Sequence, residues 1–181
     1  MAVNQPDPAA EFTNGAGPEA DGGDETPYLR PAEPDDLGSV YAMRNLLEIV
    51  RWTESGREVT MEEHKAWFAL RIARGDNRLF LIEVEGTPAG ALDLARHGDE
   101  AVISIYLLSP LRGRGHGRRL IRQACSVARQ CWGRVTVVAR ILSDNAASLH
   151  AFRASGFVET ASEGRVIIMK QSPAAAARAA R

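Results

Sequence analysis

After the apolar run Val102–Leu108 and the link Ser109-Pro110-Leu111, the chain reads Arg112-Gly113-Arg114-Gly115-His116-Gly117-Arg118-Arg119. Glycine at every second position lets successive backbone N–H groups turn into one hollow, with no β-carbon in the way of an oxyanion. The residues that follow open a helix. Its first N–H groups lack internal partners, and the positive end of its dipole faces the same hollow, so the segment reads as a cradle for a pyrophosphate. Arg112, Arg114, Arg118 and Arg119 add positive charge around it. A second constellation lies downstream: Asn145-Ala-Ala-Ser148-Leu-His-Ala-Phe152-Arg-Ala-Ser-Gly156-Phe157. It reads as a short helix capped by Ser143 or Asp144, with Leu149 and Phe152 facing inward and Gly156 ending it in a left-handed turn.

The glycine loop is neither of two common phosphate loops. A Walker loop needs a lysine that is absent here, and a dinucleotide fingerprint needs Gly-x-Gly-x-x-Gly, whereas this spacing is Gly-x-Gly-x-Gly. Arg112, Gly115 and Gly117 in the pattern Arg-x-x-Gly-x-Gly, followed by Asn145, Ser148, Phe152 and Gly156-Phe157, instead resemble the two acetyl-CoA signatures of the GNAT superfamily of N-acetyltransferases. The resemblance covers about Tyr28 to Lys170. It implies an α/β fold with a central mixed, mostly antiparallel sheet, splayed at the acetyl-CoA cleft and flanked by helices. It also implies attack of a substrate amine on the thioester, with acetyl-CoA as co-substrate and no metal. On this resemblance the backbone of Tyr106, Leu107 and Leu108 holds pantetheine, and one N–H there polarises the thioester carbonyl. Arg112, Gly113, Arg114, Gly115, His116, Gly117 and Arg118 hold the pyrophosphate, His116 through its backbone. Asn145 bonds the pantetheine arm, unless it serves only as a helix cap, and Ser148 and Phe152 complete the cofactor side.

Two departures from the family concern proton transfer. Many members carry a tyrosine where Phe152 stands, and Phe152 cannot protonate a leaving thiolate. A glutamate frequent on the third strand aligns with Val102, leaving Glu100, on the same strand face, as a substitute. Candidate bases are therefore Glu100, Ser104 and His64. Against these stand a simple strand-edge carboxylate for Glu100 and a packed helix residue for His64. The segment Thr60-Met-Glu-Glu-His64-Lys-Ala-Trp67-Phe68, with Arg44-Asn45 and Val50-Arg51-Trp52, resembles acetyltransferases of 4-amino-sugar nucleotides and related surface-polysaccharide enzymes. That makes a nucleotide-linked amino sugar the favoured acceptor. A protein N-terminus remains an alternative, as does a non-catalytic acyl-CoA-sensing module.

Composition narrows the partners. The formal net charge is −1, yet residues 1–27 hold six acids, no base and one aromatic, Phe12, and cannot bury enough to offset their ordering entropy. They are expected to be a disordered leader. The remainder carries 22 basic against 17 acidic residues, an excess suited to a polyanionic co-substrate and too small to indicate nucleic acid. Residues 171–181, rich in alanine, are expected to form a mobile tail. Cys125 and Cys131, six apart on one helix, are too distant to bridge and suggest a reducing compartment. His64, His97, His116 and His150 show no paired ligand spacing. With no apolar run near 18 residues and no signal peptide, the expected location is cytoplasmic, without membrane partners. A homodimer is compatible with the sequence.

The elements that must position these residues follow from periodicity. Tyr28–Arg30 reads as a strand, and Asp35–Arg51 as one helix with Leu37, Val40, Tyr41, Arg44, Leu47 and Val50 on a stripe. A loop, Trp52–Val59, precedes a capping box at Thr60 and a helix Met61–Arg74. Arg78–Glu85 and Thr87–Arg96 read as a hairpin about Glu85-Gly86, and Glu100–Leu108 as the next strand. Helix Arg114–Gln130, strand Arg134–Arg140, helix Ala146–Ser155 and strands Phe157–Thr160 and Arg165–Lys170 complete one domain over 28–170.

Overall fold

The structure is a computed structural model that describes residues 26–73 and 75–172. The leader and the tail, apart from their innermost residues, lie outside the described residues. Seven strands form one sheet: β1 (Tyr28–Pro31), β2 (Asn77–Val84), β3 (Thr87–His97), β4 (Glu100–Leu107), β5 (Thr136–Leu142), β6 (Val158–Glu163) and β7 (Val166–Gln171), in the order β1-β2-β3-β4-β5-β7-β6. Every neighbouring pair is antiparallel except β4 and β5. The β2–β3 hairpin turns at Glu85-Gly86, both with positive φ, as the turn signal in the sequence requires.

Helices cover the two faces. On one face lie α1 (Leu37–Arg44), α2 (Leu47–Val50) and α3 (Met61–Ile72); there Val40 and Phe68 pack on Leu79 and Leu81 of β2. On the other, α4 (His116–Trp132) and α5 (Ala146–Arg153) cover the main core. Leu120, Ile121, Ala124, Cys125, Val127 and Ala128 form the buried stripe of α4, at the helical spacing read from sequence. Burying each of its larger apolar side chains contributes about 1.5–3 kcal/mol. Cys125 and Cys131 are both free thiols.

Of the boundaries that differ from the sequence reading, three have a visible cause or consequence. The single helix expected over Asp35–Arg51 is a 3₁₀ turn at Pro34–Asp36, then α1, then the one-turn α2. Asn45 breaks it: its side chain donates to the Val59 carbonyl and accepts from the Val59 N–H, both at 2.9 Å, and so draws the backbone out of helix. The strand expected over Arg134–Arg140 begins two residues later, because α4 runs on to Trp132 and ends in Gly133 at φ 72°. The domain also extends past Lys170. Gln171 belongs to β7, is buried, and donates through Nε2 to the Ser155 carbonyl at 2.5 Å.

Candidate active site

The sheet opens where β4 leaves β5. β4 pairs with β3 along its whole length, but with β5 only from Glu100↔Thr136 to Ile103↔Ala139. Beyond Ile103 the two strands keep their outer partners, β3 and β7, and lose each other. The ladder tells which groups face the gap. The Leu108 N–H donates to Ala89 O at 2.9 Å, so by antiparallel alternation Tyr106 and Ser104 also bond to β3, while Ile105 and Leu107 turn their N–H and C=O toward the gap. Of Tyr106, Leu107 and Leu108, expected to hold pantetheine, Leu107 turns its backbone groups to the gap, as does Ile105 before it, while the Leu108 N–H is taken by Ala89.

At the end of β4 a 3₁₀ turn, Ser109–Leu111, leads into the glycine loop. Gly113 (φ 74°) and Gly115 (φ 82°) take left-handed conformations that other residues adopt at a cost, and a β-carbon on either would meet only open space. Gly115 is the N-cap of α4 and no side chain caps the helix, so the N–H groups of its first turn are left facing the loop. Of the arginines, Arg118 lines the cavity here. Arg112 lines it too, but its guanidinium is already used: Nε donates to the Leu107 carbonyl at 2.7 Å and Nη1 reaches Glu48 of α2 at 3.3 Å. Ser109 donates to the same Glu48 carboxylate, and these partners hold its pKa below the ordinary range. Arg119 does not face the loop, since it donates to the Pro27 carbonyl and ties the start of the chain to α4.

One cavity of about 900 Å³ runs from this loop through the gap to the α1–α3 face. Of the residues expected at the site, Ser104, Tyr106, Leu107, Arg112, Gly113, Gly115, Gly117, Arg118, Asn145, Ser148 and Phe152 line it; Leu108, Arg114 and His116 do not. Asn145 caps α5: its Oδ1 accepts from the Ser148 N–H at 3.1 Å, which leaves its Nδ2 for a ligand. Phe152 is buried, packed edge-on against Phe157 with ring centroids 4.9 Å apart.

Two expected bases stand elsewhere. Glu100 shares its face with Ser104 but lies at the opposite end of β4, paired with Lys170 at 2.5 Å and outside the cavity. His64 is 2% exposed among Tyr41, Trp67 and Phe68, with ring centroids 5.4–5.8 Å away, and it too is outside the cavity. Burial holds its pKa down, against a hydrogen bond to the Leu37 backbone.

What the sequence reading missed is the polar floor on the α1–α3 side. Asp93 of β3 sits opposite Ser104 in the ladder. Arg71 of α3 approaches Asp93 Oδ2 at 3.0 Å, donates to Asn77 Oδ1 at 2.6 Å, and stacks on Trp67. Asp93 Oδ1 is buried with no partner, and burial pushes its pKa up to about 6 against the pull of Arg71. Nearby, Arg44 Nη1 and the Tyr106 hydroxyl are likewise buried without partners. Burial lowers the Arg44 pKa and raises that of Tyr106, whose phenol the Arg44 charge pulls the other way. The only signal for Asp93 was an acid in the middle of the apolar strand Ala91–Leu94. The segment after α2 borders this side: Trp52 and Thr53 line the cavity, and next to them Glu54 is clasped by Arg140 of β5 at 2.7 and 3.0 Å.

Comparison with known proteins settles the family. The sequence profile described as acetyltransferase (GNAT) domain matches residues 28–158. The chain is a GNAT acetyltransferase. Among curated proteins, this acetyltransferase is 30% identical to the L-amino acid N-acyltransferase MnaT of Escherichia coli K12 over 142 residues, 74% of the chain and 79% of MnaT. Its fold matches the aminoglycoside acetyltransferase AAC(6')-Ib in complex with coenzyme A, with a TM-score of 0.74 at 17% identity over 86% of the chain and 99% of that structure. It also matches spermidine N-acetyltransferase from Vibrio cholerae in complex with CoA and spermine, with a TM-score of 0.72 at 19% identity over 85% and 99%. The expected α/β GNAT fold, the acetyltransferase activity and the use of acetyl-CoA therefore stand. The likeness to amino-sugar nucleotide enzymes gains no support from these relatives, and the residues that carried it have structural work: His64 is packed away and Asn45 is tied to Val59. Among the described residues there is no group of three or more His, Cys, Asp or Glu that could hold a metal, and no helix long and apolar enough to cross a membrane.

Proposed function

We propose that this acetyltransferase acts on a small primary amine that also carries a carboxylate, of the α-amino acid class. The observation that carries the reading is the pair of unpartnered buried donors, Arg44 Nη1 and the Tyr106 hydroxyl, lining the cavity beside the gap. A buried guanidinium with an unused N–H is costly unless a ligand completes it, and a carboxylate is the acceptor that matches its charge and geometry. The MnaT relative, named for L-amino acids, agrees with this acceptor class. A nucleotide-linked amino sugar and a protein N-terminus fit less well, because neither sets a carboxylate beside the amine for these two donors.

On the cofactor side, the first-turn N–H groups of α4 and the loop glycines would hold the pyrophosphate, with Arg118 beside them. Pantetheine would run along the free edge of β4, bonded to Ile105 and to Asn145 Nδ2. The Leu107 N–H would donate to the thioester oxygen as negative charge develops there; Arg112 occupies the Leu107 carbonyl and so fixes that peptide. Arg112 thus serves as a brace for the loop more than as a phosphate ligand.

The test is thiol release from acetyl-CoA with a panel of amines that pairs each L-amino acid with its decarboxylated counterpart and includes an amino-sugar nucleotide and a tripeptide. The expected result is turnover of amino acids, with Arg44→Gln raising the acceptor KM at least tenfold and leaving the acetyl-CoA KM unchanged. Preference for the decarboxylated amine, the sugar nucleotide or the tripeptide would overturn the reading.

A further inference from the structure

From the geometry we infer that Asp93, on β3, is the general base that takes the proton from the acceptor ammonium, in place of the β4 carboxylate that this chain lacks at Val102. The inference rests on acetyl transfer to an amine and not on which amine is the acceptor.

Three placements support it. Ladder register sets Asp93 opposite Ser104 and two residues from Ala91, the partner of Tyr106, so its carboxylate stands on the cavity face beside the end of β4 where the gap opens. Its two oxygens are differentiated. Oδ2 faces Arg71 at 3.0 Å, which anchors the group, while Oδ1 is buried and unpartnered in a cavity-lining residue, free to accept. Of the other candidates, Glu100 is held by Lys170 and His64 lies outside the cavity, while Ser104, which lines it, offers a neutral hydroxyl and not a carboxylate. Around Asp93, α3 presents Arg71, β2 presents Leu79, and β4 presents Ser104 flanked by Val102 and Tyr106, with Arg44 of α1 beyond Tyr106. Arg71 is the one charged group against it among the described residues, and it keeps the carboxyl ionisable near neutral pH despite burial.

The step balances. The ammonium N–H proton passes to Asp93 Oδ1, directly or through one water, and the freed lone pair attacks the acetyl carbon to form the C–N bond. Collapse of the tetrahedral adduct breaks C–S, the departing thiolate takes the second nitrogen proton, and the proton on Asp93 leaves to solvent. Arg71 is a positioning residue, acting through Asp93.

The experiment is the pH dependence of kcat/KM, measured with whichever amine in the panel turns over fastest, so that it survives failure of the carboxylate reading. Wild type should show an acid limb near pH 6 and a plateau above it. Asp93→Asn should lose about 100-fold at neutral pH. It should also lose the break near pH 6, rising with unit slope toward the pKa of the amine itself, with acetyl-CoA Kd unchanged. Arg71→Gln keeps the carboxylate and removes its cation, so the acid limb should move upward by more than half a pH unit. An Asp93→Asn profile that keeps the break near pH 6, at any rate, would overturn the inference. Should Asp93→Asn not fold, an unmoved limb in Arg71→Gln would overturn it equally.

Discussion

Placing a carboxylate on this floor has a stability cost that Asp93→Asn isolates. Burial lifts the Asp93 carboxyl from 3.8 to about 6, the Arg71 charge offsetting only part of the desolvation. Where the folded value exceeds the unfolded one, the native chain holds a proton between the two that the unfolded chain has released. The stability associated with this group is therefore complete below about pH 4 and is lost as pH rises through 6. At about 1.4 kcal/mol per pH unit, that loss is about 3 kcal/mol. Its side chain is only 13% exposed, so solvent screening reduces the figure little. Urea unfolding of wild type and Asp93→Asn, stepped from pH 4 to pH 7.5, reads it directly, because every other titrating group is common to both and cancels in the difference. The stability of the variant relative to wild type should climb by about 3 kcal/mol across that range, most of it between pH 4 and 6. Two curves that stay parallel throughout would refute the raised pKa and remove a support of the base assignment.

Other consequences follow from the loop, the ladder and the segment 52–54. Gly115→Glu sets a charged side chain on the N-cap of α4 at φ 82°, and should abolish acetyl-CoA binding by calorimetry while costing about 1–2 kcal/mol in left-handed strain; unaltered affinity would show that the phosphates lie elsewhere. Gly90→Ala would place a β-carbon 2.3 Å from the Tyr106 carbonyl oxygen. Because backbone must shift to relieve that contact, denaturant midpoints should report a loss of about 1–3 kcal/mol or more. Arg140→Ala frees Glu54 from exposed pairs that contribute at most about 1 kcal/mol, so stability should hold while longer amines, polyamines and dipeptides, gain turnover relative to amino acids.

How far the sequence carried the fold depended on how local each cause was. Glycine spacing, the Glu85-Gly86 turn, the capping box at Thr60 and the stripe on α4 act within a few residues, and each appears where periodicity placed it. The break at Asn45 did not announce itself, because its cause is a bidentate bond to Val59, 14 residues away. The same holds for Arg112: its spacing matches a phosphate signature, and its reach to Glu48, on a helix 64 residues earlier, has no local signal. For His64 the sequence left a base and a packed helix residue side by side, because burial in an aromatic cluster and access to a ligand both need an inward-facing side chain. Asp93 was hard to read in the sequence. An acid between Leu92 and Leu94 obeys strand alternation and reads as a solvent-facing residue, and nothing local says that Arg71 and a cavity cover that face.

The gap itself explains why acceptor and cofactor can meet without the sheet falling apart. An open seam inside a sheet would normally leave two unpaired edges, each with unsatisfied N–H and C=O groups. Here each edge strand is secured from behind, β4 by β3 up to Leu107 and β5 by β7 up to Leu142, so the seam costs only the groups that face it. On β4 those groups are Ile105 and Leu107, alternating with residues bonded to β3, and the Leu107 carbonyl is already satisfied by Arg112. What remains is one N–H and one C=O at Ile105, then one N–H at Leu107, spaced as a strand edge presents them. An extended chain bearing alternating amide donors and acceptors completes that edge as a further strand would, and pantetheine is such a chain. Its thioester would then end at the Leu107 N–H, next to the face where Ser104 and Asp93 stand opposite each other. The register that pairs β3 with β4 would therefore set both the depth of the thioester and the position of the base, and a slip of β4 by one residue would turn Ser104 and Tyr106 to the α4 face and leave Asp93 without them.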